Sequence, residues 1–137
     1  MIKQLITGLA LTTMALGVSA SDLPNPLRIA TEGAYPPFNG VDANGELIGF
    51  DVDIARALCA EMKANCELVA QDWDGIIPAL VANKYDAIIA SMSITDERKQ
   101  TIDFTNKYYS NYLAVIAPTG GVSGADELAG QTIGAQR

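Results

Sequence analysis

Apolar runs of strand length alternate with apolar positions at helical spacing through residues 27–90. The first run, Leu27–Thr31, predicts a strand, and Cys66–Ala70 predicts a second one. Between them, apolar residues recur at helical spacing and predict a helix over residues 51–64, with Asp51 as its N-cap. We expect the apolar face of this helix to pack on the sheet; it consists of Val52, Ala55, Leu58, Cys59 and Met62.

A second helix and a third strand follow in the same order. Asp74 is a suitable N-cap, Pro78 fits the first helical turn, and residues 86–90 form the next apolar run. Strands that alternate with helices in this way predict an α/β fold with a parallel sheet. Further along, the pattern predicts strands at residues 112–117 and 132–135, with the start of a short helix at residues 125–129.

Three polar or proline-containing segments separate these elements. Residues 32–38 are expected to form a loop, because Pro36 and Pro37 fix φ and lack N–H donors. Residues 42–45 end in Asn-Gly and predict a turn. Residues 91–96 form a polar loop after the third strand, ahead of a short helix at residues 97–101. Ligands of α/β proteins gather at such strand ends.

Residues 1–20 have the three-part layout of a secretory signal peptide. Lys3 supplies the positive charge, residues 5–18 form the apolar core, and small residues at 18–20 suit a cleavage site. A membrane anchor is the alternative, but the segment is shorter than the ~20 apolar residues that a bilayer span needs. We therefore expect export to the periplasm, with Ser21 as the first mature residue.

The charge balance of the chain is acidic. There are 16 acidic and 9 basic residues, which gives a net charge of −7 at pH 7. Without basic clusters, such a surface repels phosphate backbones and anionic headgroups. We therefore expect neither nucleic-acid nor membrane-surface binding, and the same field mildly favours cationic ligands.

Cys59 and Cys66 are the two cysteines of the chain. In an exported protein, an oxidising compartment favours a disulfide between them. A metal site and a reactive thiol are the alternatives. Zinc lacks ligands here, because the chain has no histidine and no second cysteine pair. The disulfide is therefore favoured, and neither a metal nor a cofactor is expected.

Chemically distinctive side chains lie in three segments that follow successive predicted strands. They are Glu32 and Tyr35, then Trp73, then Ser91, Ser93 and Arg98. A free amino acid needs a guanidinium fork for its α-carboxylate, hydroxyl or carbonyl acceptors for its α-ammonium, and aromatic faces for its side chain. The set therefore predicts an amino-acid pocket in which Arg98 is the main anchor.

Each of these residues also has a structural interpretation. Trp73 could fill a core or an interface, Arg98 could be one solvated charge in an exposed cluster, and Glu32 could be a surface carboxylate. The serines ahead of Arg98 and the polar loop around Trp73 favour the pocket. Asp51 and Asp53 are interpreted as residues that start a helix, with no ligand role.

At these residues the chain resembles the amino-acid family of periplasmic solute-binding proteins of ATP-driven importers, of the lysine/arginine/ornithine and histidine binding type. The resemblance covers residues 27–137. It is carried by the segments 31–38 (TEGAYPPF), 49–53 (GFDVD), 72–78 (DWDGIIP) and, most specifically, 86–98 (DAIIASMSITDER). The spacing of Cys59 and Cys66 is also similar to the short-loop disulfide of the members that bind basic amino acids.

The family implies a two-lobed, type II periplasmic binding protein fold. Lobe 1 would span residues 21–111, and residues 112–137 would be the crossover and the incomplete start of lobe 2. The sequence is thus expected to be a fragment, whose affinity alone would be weaker than that of the complete protein.

The resemblance also implies roles for the polar residues of the third segment. Arg98 would pair with the ligand carboxylate, helped by the Ser93 amide, while the Ser91 and Ser93 hydroxyls would receive the ammonium. Ala90 departs from the family pattern, because many members that bind basic amino acids have a hydroxyl there. One side-chain hydrogen bond would be lost, which leaves the identity of the ligand open.

The remaining residues would contact the ligand side chain. Tyr35 and Trp73 would sandwich it, and Glu32 would meet its distal group, which suits a cation or an amide. The resemblance does not choose among arginine, lysine, ornithine, histidine, glutamine, opines and cystine.

The implied function is that of the substrate-binding component of an ABC importer. Such a protein is a monomer that presents its amino acid to membrane permease subunits. An enzyme of dehydratase type on the same fold and the sensor domain of a receptor are the alternatives. Catalysis is disfavoured, because the chain has no histidine and Glu32 is the only pocket carboxylate available as a general base.

Overall fold

The computed structural model describes residues 23–112 and 114–134. The chain divides into two units, residues 1–104 and 105–137. The signal peptide predicted at residues 1–20 lies outside the described residues, and the predicted lobe boundaries stay a prediction. Within the described part of the chain, no helix is both long and apolar enough to cross a bilayer.

The first unit contains a three-stranded parallel sheet and a smaller antiparallel one. Its elements in chain order are β1 (Leu27–Thr31), β2 (Ala34–Tyr35), β3 (Asn39–Val41), β4 (Leu47–Ile48), α1 (Phe50–Met62), β5 (Cys66–Ala70), α2 (Trp73–Val81) and β6 (Ala87–Ile88). The parallel sheet has the order β5-β1-β6, and the antiparallel sheet has the order β2-β3-β4. The α/β fold with a parallel sheet is therefore confirmed.

Strands β1 and β5 have the bounds that the apolar runs predict, whereas β6 is shorter than the predicted residues 86–90. The backbone ladder nevertheless continues on both sides of β6. The Asp86 N–H donates to the Arg28 carbonyl at 2.9 Å, and the Ile89 N–H donates to the Ala30 carbonyl at 2.9 Å. The third predicted strand thus lies beside β1 from residue 86 to residue 89.

The antiparallel sheet occupies the segment in which the sequence predicts a loop and a turn. The turn at residues 42–45 is confirmed: Gly45 has φ 87, and its N–H donates to the Asp42 carbonyl at 3.1 Å. The loop at residues 32–38 contains one short strand, β2, which pairs with β3. The prediction of a continuous loop is wrong there, because two residues ahead of Pro36 still have backbone groups that can pair.

Helix α1 begins one residue earlier than predicted. Its N-cap is Gly49, so Asp51 lies inside the first turn and the prediction of Asp51 as N-cap is wrong. The helix needs no side-chain cap, because the Pro37 carbonyl accepts the Phe50 N–H at 3.2 Å and the Phe38 carbonyl accepts the Asp51 N–H at 2.7 Å. The loop at residues 36–38 is thereby fixed to the start of α1.

The face of α1 that packs on the sheet is narrower than the sequence predicts. Val52, Ala55 and Cys59 are buried, but Leu58 is 47% exposed and Met62 is 37% exposed. At ~100° per residue, Leu58 and Met62 lie at one edge of the apolar stripe. Their inclusion in the buried face is therefore wrong, because three short strands do not cover that edge.

Helix α2 begins after Asp72, which makes the prediction of Asp74 as N-cap wrong. The two aspartates have the same cap propensity, and the Gly75 N–H bonds to the Asp72 carbonyl at 3.0 Å. Pro78 consequently lies inside the helix instead of in its first turn. The shift makes Trp73 the first helical residue, three positions after Ala70, the last residue of β5.

Packing of α2 on the sheet forms one of two small cores. Its buried members are Ala30, Ile76, Ala79, Tyr85 and Ala90. The Tyr85 hydroxyl donates to the Ile76 carbonyl, so that the buried phenol is satisfied. Full burial of a side chain the size of Ile76 contributes about 1.5 to 3 kcal/mol. This core supports the residues that lead from β6 into the polar loop.

A disulfide and an ion pair fasten the sheet to its surroundings. Cys59 and Cys66 are bonded, with their Cα atoms 6.2 Å apart, and the predicted link from the end of α1 to β5 is confirmed. On the other side of the sheet, Arg28 of the central strand β1 donates to both carboxylate oxygens of Asp86 at 2.9 and 3.2 Å. Asp86 precedes the edge strand β6. Hydrogen bonds from the Arg28 side chain and backbone hold the pKa of Asp86 below its usual range.

In the second unit, a 3₁₀ helix at Ala125–Glu127 replaces the predicted start of a helix at residues 125–129. Neither predicted strand forms among the described residues 112, 114–117 and 132–134, so those predictions are wrong there. Tyr112 is 88% exposed and Ile116 is 96% exposed. A strand requires a neighbour for its N–H and C=O groups, and in this unit the described residues form no ladder. Residue 135, the end of the second predicted strand, lies outside the described residues.

Gly49→Ala is expected to destabilise the first unit by about 2 kcal/mol. Gly49 has φ 117, and a Cβ there would lie 2.5 Å from the Phe38 carbonyl oxygen. Urea unfolding followed by Trp73 fluorescence measures the change. Gly40→Ala is the matched control, because a Cβ at Gly40 meets nothing within 4 Å. Equal midpoints for both variants would contradict this account of the start of α1.

Candidate functional site

The carboxyl ends of β1, β5 and β6 lie at the same edge of the parallel sheet. Every residue of the predicted pocket follows one of these ends. Glu32 and Tyr35 follow β1, Trp73 follows β5, and Ser91, Ser93 and Arg98 follow β6. All six therefore lie in segments that leave one edge of the sheet, as the sequence predicts for a ligand site in a parallel α/β protein.

Arg98 is held between an aromatic face and a backbone carbonyl. Its guanidinium carbon lies 5.4 Å from the centroid of the Trp73 ring. Its Nη1 donates to the Ser93 carbonyl at 2.9 Å, and its backbone N–H donates to Thr95 Oγ1 at 3.2 Å. The structure thus brings Trp73, Ser93 and Arg98 together. A guanidinium fork has five N–H donors, so its contact with Ser93 is compatible with further binding to a carboxylate.

Ser91 belongs to a partly buried chain of hydrogen bonds that reaches back to the loop after β1. The Ser91 hydroxyl donates to Asp51 Oδ1 at 2.9 Å, and Asn39 Nδ2 donates to Asp51 Oδ2 at 2.8 Å. Asn39 Oδ1 in turn accepts the Gly33 N–H at 2.8 Å. We call these four residues, Gly33, Asn39, Asp51 and Ser91, the Asp51 network. It joins the loop after β1 to the loop after β6 through the first turn of α1.

Asn39 was not predicted as a functional residue, and Asp51 was predicted only as a residue that starts the helix. Both side chains are fully buried. One signal was present in the sequence: Asp51 and Ala55 are four residues apart and therefore share a helix face, and Ala55 is on the apolar stripe. A carboxylate on that face indicates burial with hydrogen-bond partners. Asp53 differs, because it is exposed and forms only a 3.7 Å ion pair with Arg56.

Both aromatic residues assigned to the ligand side chain have contacts within the protein. Tyr35 stacks on Phe38, with ring centroids 5.3 Å apart and an interplanar angle of 20°. Phe38 then meets the edge of Phe50 at 6.3 Å. Trp73 contacts Arg98 instead. A sandwich of a ligand side chain between Tyr35 and Trp73 stays a prediction.

Glu32 and Ser93 occupy different environments at this edge. Glu32 is half-buried directly after β1, whereas Ser93 is exposed and contributes its carbonyl to Arg98. The part assigned to each in ligand binding also stays a prediction. Over residues 23–112 and 114–134, no group of three potential metal-ligating side chains comes together.

Comparison with known proteins places the chain in a family. The family model for bacterial extracellular solute-binding proteins, family 3, matches residues 27–123. The L-arginine-binding protein of Pseudomonas aeruginosa is 55% identical over 106 residues, which are 77% of this chain and 40% of that protein. The chain spans between 28 and 54% of the length of the curated relatives it matches.

Solved structures are similar in fold as well as in sequence. The arginine-bound form of domain 1 from TmArgBP is 38% identical, with a TM-score of 0.58, and the match covers 61% of this chain and 66% of that one. The ancestral amino-acid-binding protein AncCDT-1, a precursor of cyclohexadienyl dehydratase, is 46% identical, with a TM-score of 0.58 and coverages of 61 and 37%.

These matches confirm the resemblance indicated by residues 31–38, 49–53, 72–78 and 86–98. The family model extends over β1 to β6 and both helices, and thus over all six predicted site residues. This chain belongs to the bacterial extracellular solute-binding proteins, family 3.

Proposed function

We propose that this chain binds a free cationic amino acid, with L-arginine as the first ligand to test, for uptake by an ABC importer. One observation carries the proposal. The Arg98 guanidinium is supported by the Trp73 ring and the Ser93 carbonyl at the edge of the sheet where Ser91 and Glu32 also lie. At this edge, the guanidinium, the serine hydroxyl and the carboxylate offer one partner for each of the three charged groups of a cationic amino acid.

Arg98 is the group that would bind the α-carboxylate. A planar guanidinium matches a carboxylate with two parallel hydrogen bonds, and such bonds are about twice as strong as neutral ones. Its contacts with Trp73 and Ser93 restrict the side chain before any ligand arrives. Less rotamer entropy is then lost on binding, which favours affinity.

The opposite ends of the ligand would meet different residues. The Ser91 and Ser93 hydroxyls would accept the α-ammonium, Tyr35 and Trp73 would hold the side chain, and Glu32 would bind its distal cation. Ala90 is buried and offers no hydroxyl. The α-ammonium of the ligand would therefore depend more heavily on Ser91 and Ser93.

The described residues of the first unit would hold much of the ligand on their own. Domain 1 from TmArgBP is arginine-bound, and the match covers 66% of that domain. This likeness supports binding by residues up to 104 alone. We expect such binding to be weaker than that of a two-lobed relative, because a second lobe adds contacts and excludes water.

The family supports a proposal for the localisation and partners of this chain. A relative of similar sequence is a lysine/arginine/ornithine-binding periplasmic protein. We propose that this chain acts in the periplasm as a monomer and delivers its ligand to membrane permease subunits. Its net charge of −7 argues against nucleic acid as a partner.

Binding without catalysis is the function we favour. The relation of AncCDT-1 to a dehydratase makes an enzyme the second candidate. A dehydratase must move protons, and Glu32 is the only carboxylate among the six proposed site residues. No second carboxylate and no histidine accompanies it in that set, so the proposed pocket suits recognition better than elimination of water.

Arg98→Ala is expected to weaken L-arginine binding about thirtyfold or more. Truncating one partner of a close charge pair costs at least ~2 kcal/mol, which corresponds to that factor. Isothermal titration calorimetry measures it. Lys99→Ala is the matched control, because Lys99 is exposed and its ammonium forms an ion pair with Asp96 at 3.1 Å. Wild-type affinity in Arg98→Ala would overturn the assignment of the carboxylate site.

Glu32→Gln is expected to reduce the preference for L-arginine over L-citrulline, its neutral isostere, about tenfold. An ionic hydrogen bond contributes about 1.5 to 3 kcal/mol, and the substitution removes the negative charge that provides it. Competition binding with both ligands gives the ratio, and Glu46→Gln is the exposed control. An unchanged ratio, or strongest stabilisation of the wild type by glutamate, aspartate or leucine in a thermal-shift panel, would refute the role of Glu32.

A further inference from the structure

The orientation of the polar atoms in the Asp51 network is determined by its partners. A backbone N–H can only donate, so the Asn39 atom that faces the Gly33 N–H is its oxygen. The Asn39 amide nitrogen therefore faces Asp51 Oδ2, at 2.8 Å, and donates to it. Asp51 itself lies in the first turn of α1, where backbone N–H groups favour a negative side chain.

The same reasoning fixes the direction of the Ser91 hydroxyl. A carboxylate has no hydrogen to give, so in the 2.9 Å contact with Asp51 Oδ1 the hydrogen comes from Ser91. A serine hydroxyl has only one hydrogen. Toward a ligand, the Ser91 hydroxyl can therefore only accept a hydrogen bond. This suits an ammonium group and excludes donation by the hydroxyl to a carboxylate.

The backbone at Ser91 supports a specific placement. Ser91 has φ 49, in the left-handed region that a non-glycine residue occupies only when its surroundings hold it there. The hydrogen bond from its side chain to a fully buried carboxylate is one such restraint. Asp51 thus determines both where the Ser91 oxygen lies and which way its hydrogen points.

We propose that Asp51 is a positioning residue that makes Ser91 an obligate acceptor for the α-ammonium group of a bound amino acid. This inference rests on the proposed function. The ammonium end of the ligand is then directed to Ser91 and its carboxylate end to Arg98, because of these two side chains only Arg98 can donate a hydrogen bond. Asp51 touches no ligand and acts through the serine.

Asp51→Asn tests the inference, because it reverses the polarity of the network. The Asn39 amide nitrogen still requires an acceptor, so the oxygen of the introduced amide faces Asn39 and its nitrogen faces Ser91. The Ser91 hydrogen then turns toward the ligand and opposes an ammonium. We expect the affinity for L-arginine to fall at least tenfold, while that for 5-guanidinopentanoate, which lacks only the α-amine, changes less than threefold.

The ratio of the two affinities separates this role from a general loss of structure, which would weaken both ligands alike. Asp53→Asn, in the same helical turn but exposed, is the control and should leave the ratio unchanged. Ser91→Ala should lower the ratio as Asp51→Asn does, and the double variant should lower it no further. Additive losses in the double variant would overturn the inference, because the two residues would then act separately.

A second measurement requires no substitution. Neutron diffraction from deuterium-exchanged crystals of the wild type locates the Ser91 deuteron. We expect it between Ser91 Oγ and Asp51 Oδ1, and a deuteron pointing elsewhere would overturn the inference even if the variants do not fold. Wild-type protein that binds neither compound would refute the proposed function itself. If the wild type prefers arginine and Asp51→Asn retains that preference, only the positioning role fails.

Discussion

The first turn of α1 is where the loops of the first unit are fixed to one another. Its first N–H groups donate to the carbonyls of Pro37 and Phe38, and its Asp51 carboxylate accepts hydrogen bonds from Asn39 and Ser91. The loop after β1 and the loop after β6 are thereby held to the same helix end. Burial of a carboxylate costs free energy unless its oxygens accept hydrogen bonds. Movement of either loop away from Asp51 would break one of these hydrogen bonds and would therefore destabilise the fold.

This arrangement separates two tasks within the proposed pocket. The residues proposed for the α-amino and α-carboxyl groups, Ser91 and Arg98, are fixed by contacts within the protein. Those proposed for the ligand side chain, Glu32, Tyr35 and Trp73, lie in the segments that follow β1 and β5. Substitutions of Glu32 or Tyr35 can change specificity while the common part of every amino acid is still recognised, whereas Trp73 also supports Arg98. Such a division suits a family whose relatives bind different polar amino acids.

Much of the first unit was predictable from local sequence signals. Strands β1 and β5 are dense apolar runs, and the disulfide joins the only two cysteines of the chain. Helix starts were less predictable. Asp72 and Asp74 have equal propensity for the N-cap, so the sequence does not distinguish them. Asp51 was predicted as an N-cap, but it lies inside the helix and its side chain is buried. The strands predicted in the second unit failed because an apolar run forms a strand only when another strand pairs with it.

The candidate site was predictable as a set of residue types but not as a set of contacts. Spacing after successive strands indicated Trp73, Ser91 and Arg98, and the parallel sheet brings their segments to one edge. The contact of Arg98 with Trp73 and the bond from Ser91 to Asp51 depend on backbone angles that no local pattern encodes. Asn39 carries no signal of its own, because its role arises only when β3 places it beside α1.

The account is tested most directly by NMR of ¹⁵N-labelled protein titrated with L-arginine. Trp73 is the only tryptophan in the chain, so its indole N–H gives a single resonance that can be followed with the Arg98 Nε–H. If the ligand carboxylate binds Arg98 and its side chain lies on Trp73, both resonances will shift along one saturation curve. Saturable binding of arginine without a shift of either resonance would contradict this placement of the ligand.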